Sequence, residues 1–248
     1  MPSVAELSAP YENFMYGPRR GRDVCQVCFN FTRGYDRCYA CTQNEDWLAA
    51  VSPISYSVAL EQLHRALMGY KRLSGEIARR LTVELAAVLW RYLAAHERCV
   101  AQAAGVGGFK LVTTVPSGDR GRDCSHPLRR IVGELIGPTQ GRFERLLRRS
   151  ALDLAPRMFH VAKFEAVRPL DNEPVLLIDD TWTTGASGQS AAAALRHAGA
   201  GPVAAVVIGR HLNREWHEND KRLRAVKHPF DWERCALGTE APNGATAP

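Results

Sequence analysis

The sequence predicts an α/β protein in which helices cover both sides of a parallel sheet and a small cysteine-bound ribbon comes first. Three observations carry that reading. Val175 to Ile178 are four consecutive apolar residues, the mark of a strand buried on both faces. Helix-patterned segments alternate with further short apolar runs, as expected where parallel strands need helical crossovers. Cys25-x2-Cys28-x9-Cys38-x2-Cys41 places two Cys-x-x-Cys pairs in one short polar stretch. With 248 residues and 46% hydrophobic content, the chain can bury one full-sized core plus a small appendage.

Residues 1–22 are rich in Pro, Gly and polar side chains, which predicts a disordered start. The ribbon spans 23–46, with Gly34 permitting a turn between its cysteine pairs. Ser57 to Tyr70 places Val58, Leu60, Leu63, Leu67 and Met68 at near-helical spacing, so that one face packs on the core and Lys71 emerges at the end. Gly75 breaks the pattern. Glu76 to Ala104 reads as a long helix, with Ile77, Leu81, Leu85, Val88, Leu89, Tyr92 and Leu93 recurring at three and four. His96 and Cys99 share a face of it and are read as packing and surface residues, not as a metal pair.

After the flexible Gly105-Val-Gly-Gly108, Lys110 to Val115 is expected as a strand, and Leu128 to Ile136 as a helix opened near Pro127. Arg142 to Arg149 is expected as another helix. Met158 to Phe164 and Val203 to Ile208 should supply strands on either side of Val175 to Ile178. Alanine-rich Gln189 to Ala198 favours helix, which Gly199 can stop. His211 to Arg224 and Pro229-Phe-Asp-Trp232 either cap the sheet or form part of a hood, and 238–248 should be disordered. The main domain is then 52–237.

Each Cys-x-x-Cys can put two thiolates on one tetrahedral zinc, and two facing knuckles, Cys25 with Cys28 and Cys38 with Cys41, close a structural site with no open position. So short a stretch with few apolar side chains cannot hold a core alone, so the metal would supply its folding energy. A redox pair, two disulfides and chance spacing are the competing readings. Cys99, Cys124 and Cys235 stand singly, which suits free thiols in a reducing compartment, Cys124 being either a reactive loop thiol or an ordinary small residue.

The string Pro174-Val-Leu-Leu-Ile-Asp-Asp-Thr-Trp-Thr-Thr-Gly-Ala-Ser187 sets two carboxylates at a strand's carboxyl end, directly before a small turn that opens a helix. Backbone N–H groups at that helix start favour a phosphate, and Gly185 and Ala186 would let it come close. Asp179 and Asp180 can accept hydrogen bonds from two vicinal hydroxyls. Paired acids at a strand end can also bind a metal or cap the next helix. Trp182, in the middle of the string, is either packing or a lid.

That string resembles the phosphoribosyl-pyrophosphate-binding motif of type I phosphoribosyltransferases. Together with the preceding cysteine ribbon, Tyr70-Lys71 and the strand Leu111-Val-Thr-Thr-Val-Pro116, it makes the chain similar to the ComF/GntX-like family of bacterial proteins over most of its length. The resemblance implies a type I phosphoribosyltransferase fold, a Rossmann-like parallel sheet preceded by a zinc ribbon. It also implies magnesium-assisted binding of phosphoribosyl pyrophosphate and transfer of phosphoribose to a nitrogenous acceptor. On that basis Asp179 and Asp180 are the catalytic residues, and Thr181, Thr183, Thr184, Gly185, Ala186 and Ser187 hold the ribose phosphate. Pro116, Ser117, Gly118, Arg120, Arg122 and Lys71 face the pyrophosphate. The family usually follows Val-Pro with an Arg-Gly-Phe-Asn-Gln-like string, where this chain has Ser-Gly-Asp-Arg-Gly-Arg-Asp-Cys-Ser-His-Pro127.

A net charge of +6 favours polyanionic ligands without choosing between a sugar diphosphate and nucleic acid. Basic residues cluster at 18–22, 142–149 and 221–224, and Phe29, Phe31 and Tyr35 alternate with polar residues in the ribbon, as in a base-stacking surface or a small ribbon core. A non-catalytic adaptor using the ribbon to contact DNA or protein, in keeping with the family's link to DNA uptake, is therefore the second functional reading. No apolar run approaches the roughly 18 residues needed to cross a bilayer, and the start lacks a signal pattern, so a cytoplasmic protein without a membrane span is expected.

Overall fold

A computed structural model describes residues 2–117, 126–152, 154–155, 157–226 and 228–238. In chain order its elements are α1 (Val4–Ser8), a 3-10 turn (Ala9–Asn13), α2 (Tyr39–Thr42), β1 (Ala50–Val58), α3 (Gln62–Arg72), α4 (Gly75–Ala103) and β2 (Leu111–Thr114). There follow α5 (Pro127–Arg130), a π-helical turn (Ile131–Leu135), α6 (Gly137–Gln140), β3 (Leu147–Arg149), β4 (Phe164–Ala166), β5 (Val175–Trp182), α7 (Ala186–His197), β6 (Val203–Leu212) and α8 (Asn219–Arg224).

Four strands form a parallel sheet in the order β1-β6-β5-β2, and β3 pairs with β4 in a separate antiparallel ribbon. The chain crosses from one sheet edge to the other through α3 and α4, which cover one face. There Leu176, Ile178, Val206 and Ile208 pack with Leu67, Leu85 and Leu89. On the opposite face Val175, Leu177, Val203 and Ala205 meet Ala191, Ala192 and Leu195 of α7. Successive strand residues point to opposite faces, so burial of both makes 175–178 continuously apolar.

Strand β1 escapes a pattern search because Pro53 and three serines interrupt it, yet Ser52, Ser55 and Ser57 are all buried. Two of these serines are satisfied in place: Ser52 Oγ shares a 2.7 Å hydrogen bond with the Tyr92 hydroxyl, and Ser55 Oγ accepts the Tyr16 N–H at 2.9 Å. Pro53 is tolerated because β1 is an edge strand of this sheet. The helix expected over 57–70 is accordingly corrected to Gln62–Arg72, since Ser57 and Val58 belong to β1 and Leu60 is exposed.

Three other expectations are revised. Residues 142–149 are not a helix: Phe143 bridges to Val112, Leu146 and Leu147 are buried side by side, and only 147–149 are regular, as β3. The backbones of Arg142 and Glu144 are instead hydrogen-bonded to Val112 of β2, a strand-like pairing of groups that a helix would not leave free. In 158–164 only Phe164 enters a strand. The N-terminal stretch expected to be disordered is folded. Ser3 and Glu6 form a capping box on α1, and Tyr11 and Met15 are buried in the main core. That Ser-x-x-Glu signal was legible, but the core that anchors it was not. Among the described residues, no helix is long and apolar enough to cross a membrane.

Candidate functional site

A cleft of about 1230 Å³ opens at the carboxyl end of β5, bounded by the end of α3, the start of α4, the residues after β2 and the start of α7. This end of a parallel sheet is where open α/β folds bind ligands. Asp179, Asp180, Thr181, Ser187, Pro116, Ser117 and Lys71 line it, together with Tyr70, Arg72, Arg79, His126 and Arg130. Gly118, Arg120 and Arg122, expected at the pyrophosphate, and Cys124 lie outside the described residues.

Asp180 is buried and held from three sides. Lys71 Nζ donates to Oδ1 at 2.6 Å, the Tyr70 hydroxyl donates to Oδ2, and His126 Nε2 lies 3.7 Å from Oδ2. His126 Nδ1 accepts the Leu128 N–H at 3.3 Å, so the ring proton sits on Nε2, facing Asp180. Burial would push Asp180 up, but the Lys71 charge, the nearby His126 ring and the hydrogen bonds from Lys71 and Tyr70 hold it below the usual carboxylate value. Asp179 behaves oppositely. Burial and the adjacent Asp180 charge push it up to about 8. Its Oδ1 accepts the Asp180 N–H at 2.9 Å. The two neighbouring carboxyls are thus driven in opposite directions, the usual result when like charges are forced together.

Gly185 caps α7 in a left-handed conformation, φ +85°, and provides no side-chain cap. The first-turn N–H groups are thus left for solvent or a ligand, apart from Ala186, whose N–H reaches Thr184 Oγ1 at 3.4 Å. The need for glycine here has a different cause from the close phosphate approach expected of it. A Cβ on Gly185 would lie 2.3 Å from the Trp182 indole, and one on Gly188 would lie 2.7 Å from it. Trp182 is 2% exposed and packs under the turn, which selects packing over a lid. Thr183 and Thr184 are half-buried and Gly185 and Ala186 buried, and none of the four lines the cleft wall.

Lys163 is a site residue the sequence reading missed. It is buried, with Nζ 3.2 Å from Ser187 Oγ at the start of α7. Burial and then Arg149 hold its ammonium below the usual lysine value, while Asp179 acts in the other direction. A lone lysine beside Phe164 carries no motif. His126 and Tyr70 were likewise visible only as neighbours of other signals.

Cys25, Cys28, Cys38 and Cys41 form one buried group with all four sulfurs within 4.8 Å of one another, able to hold a structural zinc ion. The sulfurs of Cys28 and Cys38 are 3.6 Å apart. This group is not a separate appendage. It shares a hydrophobic cluster with Trp182, Val51 and Val207. Buried Arg210 of β6 donates from Nε to the Cys28 carbonyl at 3.0 Å, from an Nη to Cys28 Sγ at 3.6 Å and to the Trp182 carbonyl at 3.3 Å. Asn44 donates to the Thr184 carbonyl at 2.8 Å, and Gln189 Oε1 accepts the N–H groups of Trp47 and Leu48.

The proposed stacking surface is divided. Phe29 is buried and Phe31 packs on Tyr56, whereas Tyr35 and Tyr39 are 70% and 81% exposed. Much of the basic charge is paired internally: Arg142 with Glu97, Arg148 with Glu165, Arg222 with Asp23, and Arg224 with Asp220. No protein-family model and no curated protein sequence matches this chain.

Proposed function

We propose that this protein binds phosphoribosyl pyrophosphate with magnesium and transfers phosphoribose to a nitrogenous acceptor, releasing pyrophosphate. One observation carries the reading: Asp179 and Asp180 lie near the carboxyl end of β5 within a basic-walled cleft, and Ser187, beside Lys163, lies in the first turn of α7 in the same wall. The donor set fits a hard cation, because two adjacent carboxyls at the cleft supply the oxygen ligands that magnesium takes. Magnesium, when bound near Asp179, would neutralise the pyrophosphate and lower its cost as a leaving group.

In this reading the first turn of α7 and Lys163 anchor the 5-phosphate away from the reacting atom. Asp179 and Asp180 accept the ribose hydroxyls. Although Tyr70 and Lys71 occupy one lone pair on each Asp180 oxygen, each oxygen can accept a second hydrogen bond. The acceptor nitrogen forms the new bond at the anomeric carbon as the bond to pyrophosphate oxygen breaks, its electron pair leaving with pyrophosphate. The fixed carboxylates offset the positive charge that develops on the ribose. Lys71, Arg79 and Arg130 face the departing polyanion from the cleft wall. The four-cysteine group is, in this reading, a zinc ribbon.

The test is calorimetric titration of phosphoribosyl pyrophosphate and magnesium into zinc-loaded protein beside Asp180→Asn, followed by a pyrophosphate-release assay across candidate acceptors. Saturable binding lost in the variant supports the cradle, and binding by neither protein refutes it. The exposed Tyr35 and Tyr39 favour a second reading, a ribbon-mediated DNA adaptor. Salt-sensitive binding to single-stranded DNA without pyrophosphate release would select it.

A further inference from the structure

Residues 228–238 pack against α4 through Trp232 and Cys235. Trp232 and Cys235 are both buried there. His96 and Cys99, one turn apart on α4, meet Cys235 from that segment, and the potential donor atoms of all three lie within 4.8 Å of one another. None of the three belongs to the cleft or to the four-cysteine group.

His96 supplies the most telling detail. It is fully buried, and its Nε2 donates to the Trp232 carbonyl at 2.7 Å. That bond fixes the tautomer and leaves Nδ1 as a bare acceptor, yet buried Nδ1 has no hydrogen-bond partner. An unmet acceptor inside a core is costly, so such atoms call for a partner. A ring nitrogen backed by a carbonyl on its other nitrogen is the arrangement found behind metal-binding imidazoles. Cys235 has matching support, since its sulfur lies 3.6 Å from the Tyr92 hydroxyl, which is itself bonded to Ser52.

We propose that His96 Nδ1, Cys99 Sγ and Cys235 Sγ form a second metal site, for Zn2+, which staples the carboxyl-terminal segment to α4. Two thiolates and a neutral imidazole balance a divalent cation, so the loaded site buries no net charge. The same set around Cu+ would leave a net negative charge in the core. Zinc bonds of roughly 2.0–2.3 Å would draw the donors to within about 3.5–3.8 Å of each other, a shift of about 1 Å or less for each. The sequence spacing concealed the site, because Cys235 is far from His96 and Cys99 in the chain.

The experiment is zinc counting on the full-length protein by native mass spectrometry, with X-ray absorption at the zinc edge. Two zinc ions per chain and a first shell mixing sulfur with imidazole nitrogen are expected. Cys235→Ser should lose one ion and the imidazole signal, while Cys38→Ser loses the other ion and keeps that signal. One zinc ion in the folded native chain overturns the site, as does an all-sulfur shell or a second ion retained by Cys235→Ser. A metal-free native chain 2 Da lighter, from a Cys99–Cys235 disulfide, overturns it equally. If Cys235→Ser fails to fold, the native count and shell decide alone.

Discussion

Arg210 Nε donates to the Cys28 carbonyl across 3.0 Å, so a buried guanidinium on the central part of the sheet grips the first cysteine knuckle. The same side chain reaches the Trp182 carbonyl, just before the Gly185 turn. These contacts couple the four-cysteine group to the larger domain. We predict that chelation weakens phosphoribosyl pyrophosphate binding as well as unfolding the cysteine group. Hydrogen exchange should quicken at residues 183–190 along with 25–41. Exchange confined to the cysteine segment would contradict the coupling. Arg210→Met should cost on the order of 3 kcal/mol, measured by denaturant unfolding, because it removes one member of a buried charged network.

Asp180→Asn removes the charge and one of the two acceptor oxygens held by Lys71 and Tyr70. Its affinity for phosphoribosyl pyrophosphate should fall by about 1–3 kcal/mol, the value of a charge-assisted hydrogen bond. Calorimetry on the folded variant checks this, and unchanged affinity removes Asp180 from the site.

Asp179 gives the site a pH dependence. Its value in the folded protein is about 8 against an ordinary 3.8, so its stabilising contribution is complete below pH 3.8 and is lost as pH rises through 8. Asp180, shifted down, contributes stability that is lost as pH falls through its lowered folded value. Cation binding must displace the Asp179 proton. Affinity for magnesium with phosphoribosyl pyrophosphate should therefore rise with pH, by at most roughly tenfold per unit between pH 6 and 8. Asp179→Asn should flatten the profile. Titrations in buffers of different ionisation enthalpy would reveal the released proton, and a flat native profile would sink the assignment.

Gly185→Ala combines an unfavourable φ of +85° with a Cβ 2.3 Å from the indole of Trp182. A loss of about 1–3 kcal/mol is expected. Gly141→Ala is the control: its φ is −76° and its Cβ would meet nothing within 4 Å. Equal melting temperatures for the two variants would show that the turn can yield.

How much of this was legible follows from what each signal depends on. Val175 to Ile178, the long α4 and the four cysteines were readable because burial on two faces, helical periodicity and ligand spacing are local patterns. Strand β1 was not, because two of its three buried serines are satisfied by Tyr92 and Tyr16, partners about 40 residues away. The extended run at 142–149 was mistaken for a helix because basic composition says nothing about its pairing with Glu97 and Glu165.

By itself the sequence determined the parallel α/β class, the acidic pair at a strand end and the cysteine knuckles. Only the tertiary structure decided that Tyr70, Lys71 and His126 converge on Asp180, that Lys163 stands beside Ser187, and that Arg210 ties the knuckles to the turn. The physical reason is that periodicity and motif spacing act within a few residues. Charge compensation and polar satisfaction in a buried site are settled by whichever groups the fold brings within about 3 Å.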